Sequence, residues 1–373
     1  MAVNPLQEIK ALGQSVWLDY IQRDILENGA VARMIETDGL AGMTSNPAIF
    51  EKAINEHDDY DEVIEELTRS GTRAMEIYEN LAFEDVRHAA DLFRPVYDES
   101  NGRDGFISLE VSPHLAYDTK QTVTEAKRLW TSLDRPNVMI KVPATPEGLP
   151  AIEQLIAAGI NVNVTLLFGL TRYRQVMNAF MHGLEARTAA GQPLEHVASV
   201  ASFFLSRIDV LVDKHLEKLT KTGAGESANA LRGQAAVACA RLAYQHYQNA
   251  MESSRWQSLA GRGARSQRLL WASTGTKDPA YSDIKYVEAL IGKETVNTLP
   301  PQTLAAYRDH GYPALRIEQE LDKARSVQGK LSESGIHLDA VSEQLEAEGV
   351  QKFIAPFDKL LERLDQRRSE FAW

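Results

Sequence analysis

The sequence predicts an α/β fold in which eight parallel strands close into a (β/α)8 barrel, with an extra N-terminal helix, helical insertions and C-terminal helices. Three observations carry this. Eight short runs rich in β-branched and aromatic residues alternate with longer stretches of helical periodicity. The chain of 373 residues exceeds the usual barrel length of roughly 250 and so leaves room for insertions. No Gly-x-Gly-x-x-Gly follows the first strand, which weakens the runner-up, a doubly wound open sheet around a nucleotide. No low-complexity segment and no linker long enough to split domains interrupts the chain, so residues 1–373 read as a single barrel domain.

In order, residues 4–14 read as a short amphipathic helix ahead of the first strand. That strand, Val16-Trp17-Leu18-Asp19-Tyr20, ends in a carboxylate. Helical periodicity follows from Arg23 to Thr37. Gly39 to Pro47 holds a second short strand that stops at Asn46-Pro47. A long acidic helical region, Phe50 to Phe93, is broken near Ser70-Gly71. The third strand is Phe106 to Pro113, and a helix with Thr119 as candidate N-cap covers Asp118 to Ser132. Asn137 to Pro143 is the fourth strand, closed by a Pro/Gly turn. A helix from Glu147 to Ala158 stops at Gly159. Asn161 to Phe168 is the fifth strand, and its helix, Thr171 to Ala190, ends at Gly191. Val197 to Phe204 is the sixth, with a helix starting near Asp209. The pattern stays helical to Met251, interrupted by the small-residue stretch TGAGESANA. After a Gly261–Arg265 loop come the seventh strand, Arg268 to Thr274, a helix from Asp283 to Leu290, and the eighth strand, Thr295 to Leu299. Thr303 to Phe371 is helical and charged.

Composition narrows the function. With 44% hydrophobic and 25% charged residues, the chain is of the soluble globular type. A net charge of −12 argues against non-specific binding to nucleic acid or to an anionic membrane. An anionic substrate would need a local basic site. One cysteine, Cys239, permits neither an intrachain disulfide nor a cysteine-based metal cluster. The N-terminus shows no signal-peptide core and no apolar run reaches membrane-spanning length, so a cytoplasmic location is expected.

One residue stands against its surroundings. Lys141 interrupts the apolar run Val138-Met139-Ile140-Lys141-Val142. Burying an unpaired ammonium is costly; burial favours the neutral amine, which is a nucleophile. On this stretch alone an ion-paired lysine, or an edge-strand lysine reaching water, explains the pattern as well. Other strands alter that balance. Side chains alternate faces along a strand. Ser108, Glu110 and Ser112 oppose Ile107, Leu109 and Val111; Asn161, Asn163 and Thr165 oppose Val162, Val164 and Leu166; Trp17 and Asp19 oppose Val16 and Leu18. By the same parity Lys141 faces away from Ile140 and Val142. Each polar residue has a simpler reading: Asp19 as a cap or loop anchor, Asn46 before Pro47 as a turn residue, Asn163 and Thr165 as hydrogen-bonding core. Several strands sending polar groups to one face, a lysine among them, point instead to the mouth of a barrel site. Imine chemistry on a lysine needs carboxylates to move protons, and Asp19 and Glu110 are the available pair.

The motifs MTSNP (43–47), SLEVSP (108–113), MIKVPAT (139–145) and GINVNVTLLF (159–168) together resemble the transaldolases. SFFLSRID (202–209), WASTGTKDP (271–279) and VNTLP (296–300) extend the likeness over nearly the whole chain. The resemblance implies a class I, cofactor-free and metal-free aldol transfer in the non-oxidative pentose phosphate pathway. Dihydroxyacetone would pass between small sugar phosphates, from a ketose such as sedoheptulose 7-phosphate to an aldose such as glyceraldehyde 3-phosphate. Carried over by motif, Lys141 resembles the Schiff-base lysine, and Asp19 the acid/base at the hydroxyl beside the cleaved bond. Glu110 and Thr165 would hold and activate water. Asn46, Asn163 and Ser202 would bind the dihydroxyacetone hydroxyls, with Ser202 alternatively in the phosphate's surroundings. Arg207 matches a phosphate-binding arginine. Many transaldolases carry a second such arginine after strand seven in a Ser-Phe-Arg context. Here the stretch is Ser273-Thr274-Gly275-Thr276-Lys277, similar to the longer bacterial subgroup, with Lys277 as the candidate replacement. Either a monomer or a homodimer is expected; the sequence does not fix which. Two rivals remain: a lysine aldolase on the same barrel that releases free dihydroxyacetone, and a non-catalytic sugar-phosphate-binding barrel.

Overall fold

Eight parallel strands pair in chain order and close on themselves, β8 beside β1. They are β1 (Gln14–Asp19), β2 (Gly42–Thr44), β3 (Phe106–Glu110), β4 (Val138–Pro143), β5 (Val162–Leu167), β6 (Ser199–Phe204), β7 (Arg268–Ala272) and β8 (Thr295–Leu299). The computed structural model describes residues 4–221 and 229–370. The (β/α)8 expectation therefore holds, and each expected strand is present. Parallel neighbours require crossovers, which the intervening helices supply on the outside of the barrel.

Register fixes which residues share the interior. Asp19 is paired with Thr44, Glu110 with Lys141, and Lys141 with Asn163. The opposite face is apolar: Leu18, Ile107, Leu109, Ile140, Val142, Val162 and Val164 are all buried under the helices. Below the polar layer Trp17 is fully buried on the same face as Asp19. Gly42 makes room for it, since a Cβ there would lie 2.7 Å from the indole and 2.8 Å from the Phe106 carbonyl. The Trp17 indole N–H donates to Asp104 (3.2 Å), whose carboxylate pairs with Arg268 at 2.9 Å. Burial alone would raise the Asp104 pKa, but Arg268 together with hydrogen bonds from Ser15 and Trp17 outweighs it and holds the group below the usual carboxylate value. This network packs the N-terminal end of the barrel.

Helix boundaries depart from expectation where turns and caps interrupt the periodicity. The Arg23–Thr37 helix is two, Arg23–Glu27 and Ala30–Asp38, because Gly29 takes φ +77 between them. The Phe50–Phe93 region holds the helices Pro47–Glu56, Asp61–Arg69 and Ala74–Leu92 with a 3-10 turn at Asp58–Tyr60; the expected break recurs at Gly71. Thr119 is not the N-cap. Asp118 caps that helix, accepting from the Gln121 N–H at 2.9 Å, and the Thr119 hydroxyl instead donates to the Glu147 carbonyl. The shorter Asp side chain reaches the free N–H groups from outside the first turn. The helix expected near Asp209 begins at Ser206, which moves Arg207 into its first turn. Most of TGAGESANA lies outside the described residues. The charged C-terminal region is three helices, Pro301–His310, Leu321–Glu333 and Leu338–Glu370.

The last of these helices, Leu338–Glu370, packs on the Pro47–Glu56, Asp61–Arg69, Ala74–Leu92 and Ser206–Lys221 helices and on β5. Alternation in β5 fails at Leu166, which takes φ +57 where the register with β6 shifts. Its side chain meets the last helix at Gly349, where a Cβ would lie 3.0 Å from Leu166. No helix among the described residues is long and apolar enough to cross a membrane.

Candidate active site

Lys141 is 4% exposed in the middle of β4. Its ammonium donates to the Ser45 carbonyl at 2.9 Å and stands 3.8 Å from a Glu110 carboxylate oxygen. Ser45 is itself held, its hydroxyl donating to the Ser108 carbonyl. Both Glu110 oxygens are buried without a hydrogen-bond partner, and so is the Thr165 hydroxyl. Thr165 pairs with Pro143, two residues further along the same face as Lys141. Burial pushes the Glu110 carboxyl up to about 7, against the opposing pull of Lys141 and Arg207. Asp19 keeps partial access to the pocket yet is ringed closely enough that desolvation raises its pKa. Lys141 and a hydrogen bond from Thr44 (2.7 Å) oppose that rise. The Thr44 hydroxyl also meets Thr298 at 2.7 Å, so Asp19 is fixed from two neighbouring strands.

Asn163 is fully buried and already engaged. Its amide donates to Ser108 at 3.0 Å and its carbonyl accepts from Ser202 at 2.6 Å. Asn46 is the N-cap of the Pro47–Glu56 helix, accepting from the Ile49 N–H at 3.0 Å, and it also lines the pocket. The cap is thus real and leaves the NH2 available. Arg207 forms no ion pair among the described residues. Its guanidinium lies over the Phe204 and Phe353 rings, 5.3 and 5.9 Å from their centroids, with Nη1 buried and without a hydrogen-bond partner. Burial lowers its pKa, with Asp19, Glu110 and Glu348 countering, and a guanidinium still keeps its charge. Lys277 is exposed at the pocket rim, and its neighbour Asp278 pairs with Arg232 instead. Loops after β6 and β7 are tied together by the Ser206 N–H to the Ser273 carbonyl (3.1 Å) and by their hydroxyls at 2.8 Å. Arg207 and Lys277 thereby reach one cavity of about 320 Å³ that also exposes Lys141, Asp19 and Ser202.

The cavity contains groups that sequence reasoning missed. Thr44 lies in the quoted MTSNP motif and shares the parity of Asn46, so strand alternation could have found it. Lys52, Lys352 and Phe353 line the cavity from helices outside the strand motifs, and no local signal marks them. Among the described residues no cluster of His, Cys, Asp or Glu is arranged to hold a metal ion.

A buried lysine inside a closed barrel, with two carboxylates of raised pKa beside it and cations at the mouth, is an arrangement suited to nucleophilic chemistry on an anionic substrate. The model of the Transaldolase/Fructose-6-phosphate aldolase family matches residues 16–364. Similar curated proteins include the transaldolase of Trichodesmium erythraeum, 48% identical over 98% of both chains, and transaldolase 2 of a Nostoc species, at the same identity and coverage. The transaldolase of Thiobacillus denitrificans is 48% identical over 97% of this chain and 100% of its own length. The chain belongs to the transaldolase/fructose-6-phosphate aldolase family.

Proposed function

We propose that this protein is a transaldolase that moves a dihydroxyacetone unit from a ketose phosphate to an aldose phosphate through an imine on Lys141. The physiological pair on this reading is sedoheptulose 7-phosphate and glyceraldehyde 3-phosphate, giving erythrose 4-phosphate and fructose 6-phosphate in the cytoplasm. The observation that carries it is the buried Lys141 amine, 3.8 Å from Glu110 and open to a pocket shared with Asp19 and Arg207. The names of the full-length relatives favour transfer over release of free dihydroxyacetone.

The neutral amine attacks the ketose carbonyl carbon, and the carbinolamine loses water to give the imine. A water held by Glu110 and Thr165 would satisfy three otherwise unpartnered buried atoms and relay the protons of that step. A carboxyl with a pKa near 7 suits this, since it gives and takes a proton with little cost at neutral pH. Asp19 then takes the proton from the hydroxyl next to the scissile bond, the carbon–carbon bond breaks, and an aldose phosphate departs. The remaining enamine, held by Asn46, Asn163 and Ser202, attacks the acceptor aldehyde as Asp19 returns the proton. Water then releases the new ketose from Lys141. Arg207 and Lys277 bind the phosphate.

Two assays test this. Borohydride reduction with fructose 6-phosphate should add a dihydroxyacetone-derived or hexose-derived mass to the peptide containing Lys141. Turnover of fructose 6-phosphate should require an acceptor aldose phosphate; equal turnover without one would mean the enzyme cleaves rather than transfers.

A further inference from the structure

We propose that the last helix is part of the phosphate site, with Lys352 as a further cation for the substrate phosphate and Phe353 as the residue that positions Arg207. The inference rests on the sugar-phosphate reading of the pocket given above. Arg207 is an unusual cation: among the described residues no carboxylate pairs with it, and its buried Nη1 has no hydrogen-bond partner. The contacts recorded for the guanidinium are aromatic, Phe204 from β6 at 5.3 Å and Phe353 from the last helix at 5.9 Å. Rings fix the plane of a guanidinium without occupying its N–H donors, so the two-pronged grip on an oxyanion is left free.

The helix is brought to this point by a small residue. Gly349 lets its backbone approach, for a Cβ there would lie 3.0 Å from Leu166 and 3.6 Å from Arg207 Nη1. Lys352 and Phe353 follow three and four residues later, on the same face of the helix. Both line the cavity that contains Lys141, Arg207 and Lys277. The Lys352 ammonium pairs with Glu348 at 3.2 Å, both side chains being about half exposed. Such a surface pair is weak, and a phosphate carrying up to two charges can displace the carboxylate.

The test compares wild type with Lys352→Gln, Lys352→Arg, Phe353→Leu and Phe353→Tyr. Each is assayed with fructose 6-phosphate and with unphosphorylated fructose as donor, the acceptor held constant, and for competitive inhibition by inorganic phosphate. Lys352→Gln should lower the selectivity for the phosphorylated donor about three- to tenfold, through KM, and weaken phosphate inhibition by a similar factor. Lys352→Arg should restore most of both. Phe353→Leu should lose selectivity in the same way while Phe353→Tyr, which keeps a ring face, retains it. A general loss of folding would depress both donors together and leave the ratio unchanged. Wild-type selectivity and phosphate inhibition in Lys352→Gln, or in Phe353→Leu, overturn the role given to that residue. No preference for phosphorylated donors in the wild type would overturn the sugar-phosphate reading itself, and this inference with it.

Discussion

Lys141 and Glu110 stand 3.8 Å apart and are both buried, and their chemistry should be separable by mutation. Lys141→Ala should abolish turnover and borohydride trapping alike; Lys141→Arg should fail as fully, because a guanidinium remains charged and cannot attack a carbonyl. A trapped adduct in Lys141→Ala would move the imine elsewhere. Asp19→Ala should still form the imine but stall at bond cleavage, whereas Glu110→Gln should slow imine formation itself, each by roughly 10²- to 10⁴-fold. Stopped-flow trapping distinguishes them, and identical defects would rule out the division of labour. Glu110 also sets a pH signature. Folded, it keeps its proton up to about 7, against an ordinary value of 4.5. Between those values the folded state binds more protons than the unfolded one, so its contribution to stability falls as pH rises through that window. Glu110→Gln should therefore raise the melting temperature more at about pH 8 than at about pH 5. These residues were legible because period-two alternation assigns a face to every strand residue. Thr44 obeys the same rule. Lys352 and Phe353 were not legible, because a charged helix reads as a solvated face until its neighbours are known.

Secondary-structure elements carry two functions where the chain is economical. Asn46 both caps the Pro47–Glu56 helix and faces the pocket. Asn46→Asp keeps an oxygen for the Ile49 N–H but loses the amide donor, so it should melt like wild type with a raised KM. Asn46→Ala should lose about 1 kcal/mol of stability as well. A wild-type KM in Asn46→Asp would confine the residue to capping. Helix starts were the weaker part of the sequence reading. The Ser206–Lys221 helix begins three residues before its expected start, since Ser206 and Ser273 tie the two loops and fix that first turn. The link brings Arg207 and Lys277 to one cavity from successive strands. Arg207→Ala should raise KM for sugar phosphates strongly and Lys277→Ala less, by roughly tenfold or more against a few-fold. An unchanged KM in Lys277→Ala would show that it does not replace the second arginine of other family members.

At the scale of the whole molecule, one cluster of buried residues runs from Leu6 to Leu364 and joins the barrel to the last helix. Barrel and helices should therefore lose structure together: tryptophan fluorescence, to which Trp17 and Trp271 in the strands contribute along with the three other tryptophans, should track far-UV circular dichroism through a urea titration. A separate early transition in the dichroism would make the last helix an independent unit. The strand order and closure were readable from alternating periods, whereas the path of the last helix over the strand ends was not, because long-range docking leaves no local pattern. The plug formed by Trp17 over Gly42 has a further consequence. With the barrel blocked beneath the lysine, sugars have one door, and traffic through it must take turns. The departing aldose has to clear before its replacement enters, while the three-carbon fragment waits tethered. Varying one sugar at several fixed levels of the other should then give parallel double-reciprocal lines, and a large excess of acceptor should crowd the donor out of the empty enzyme.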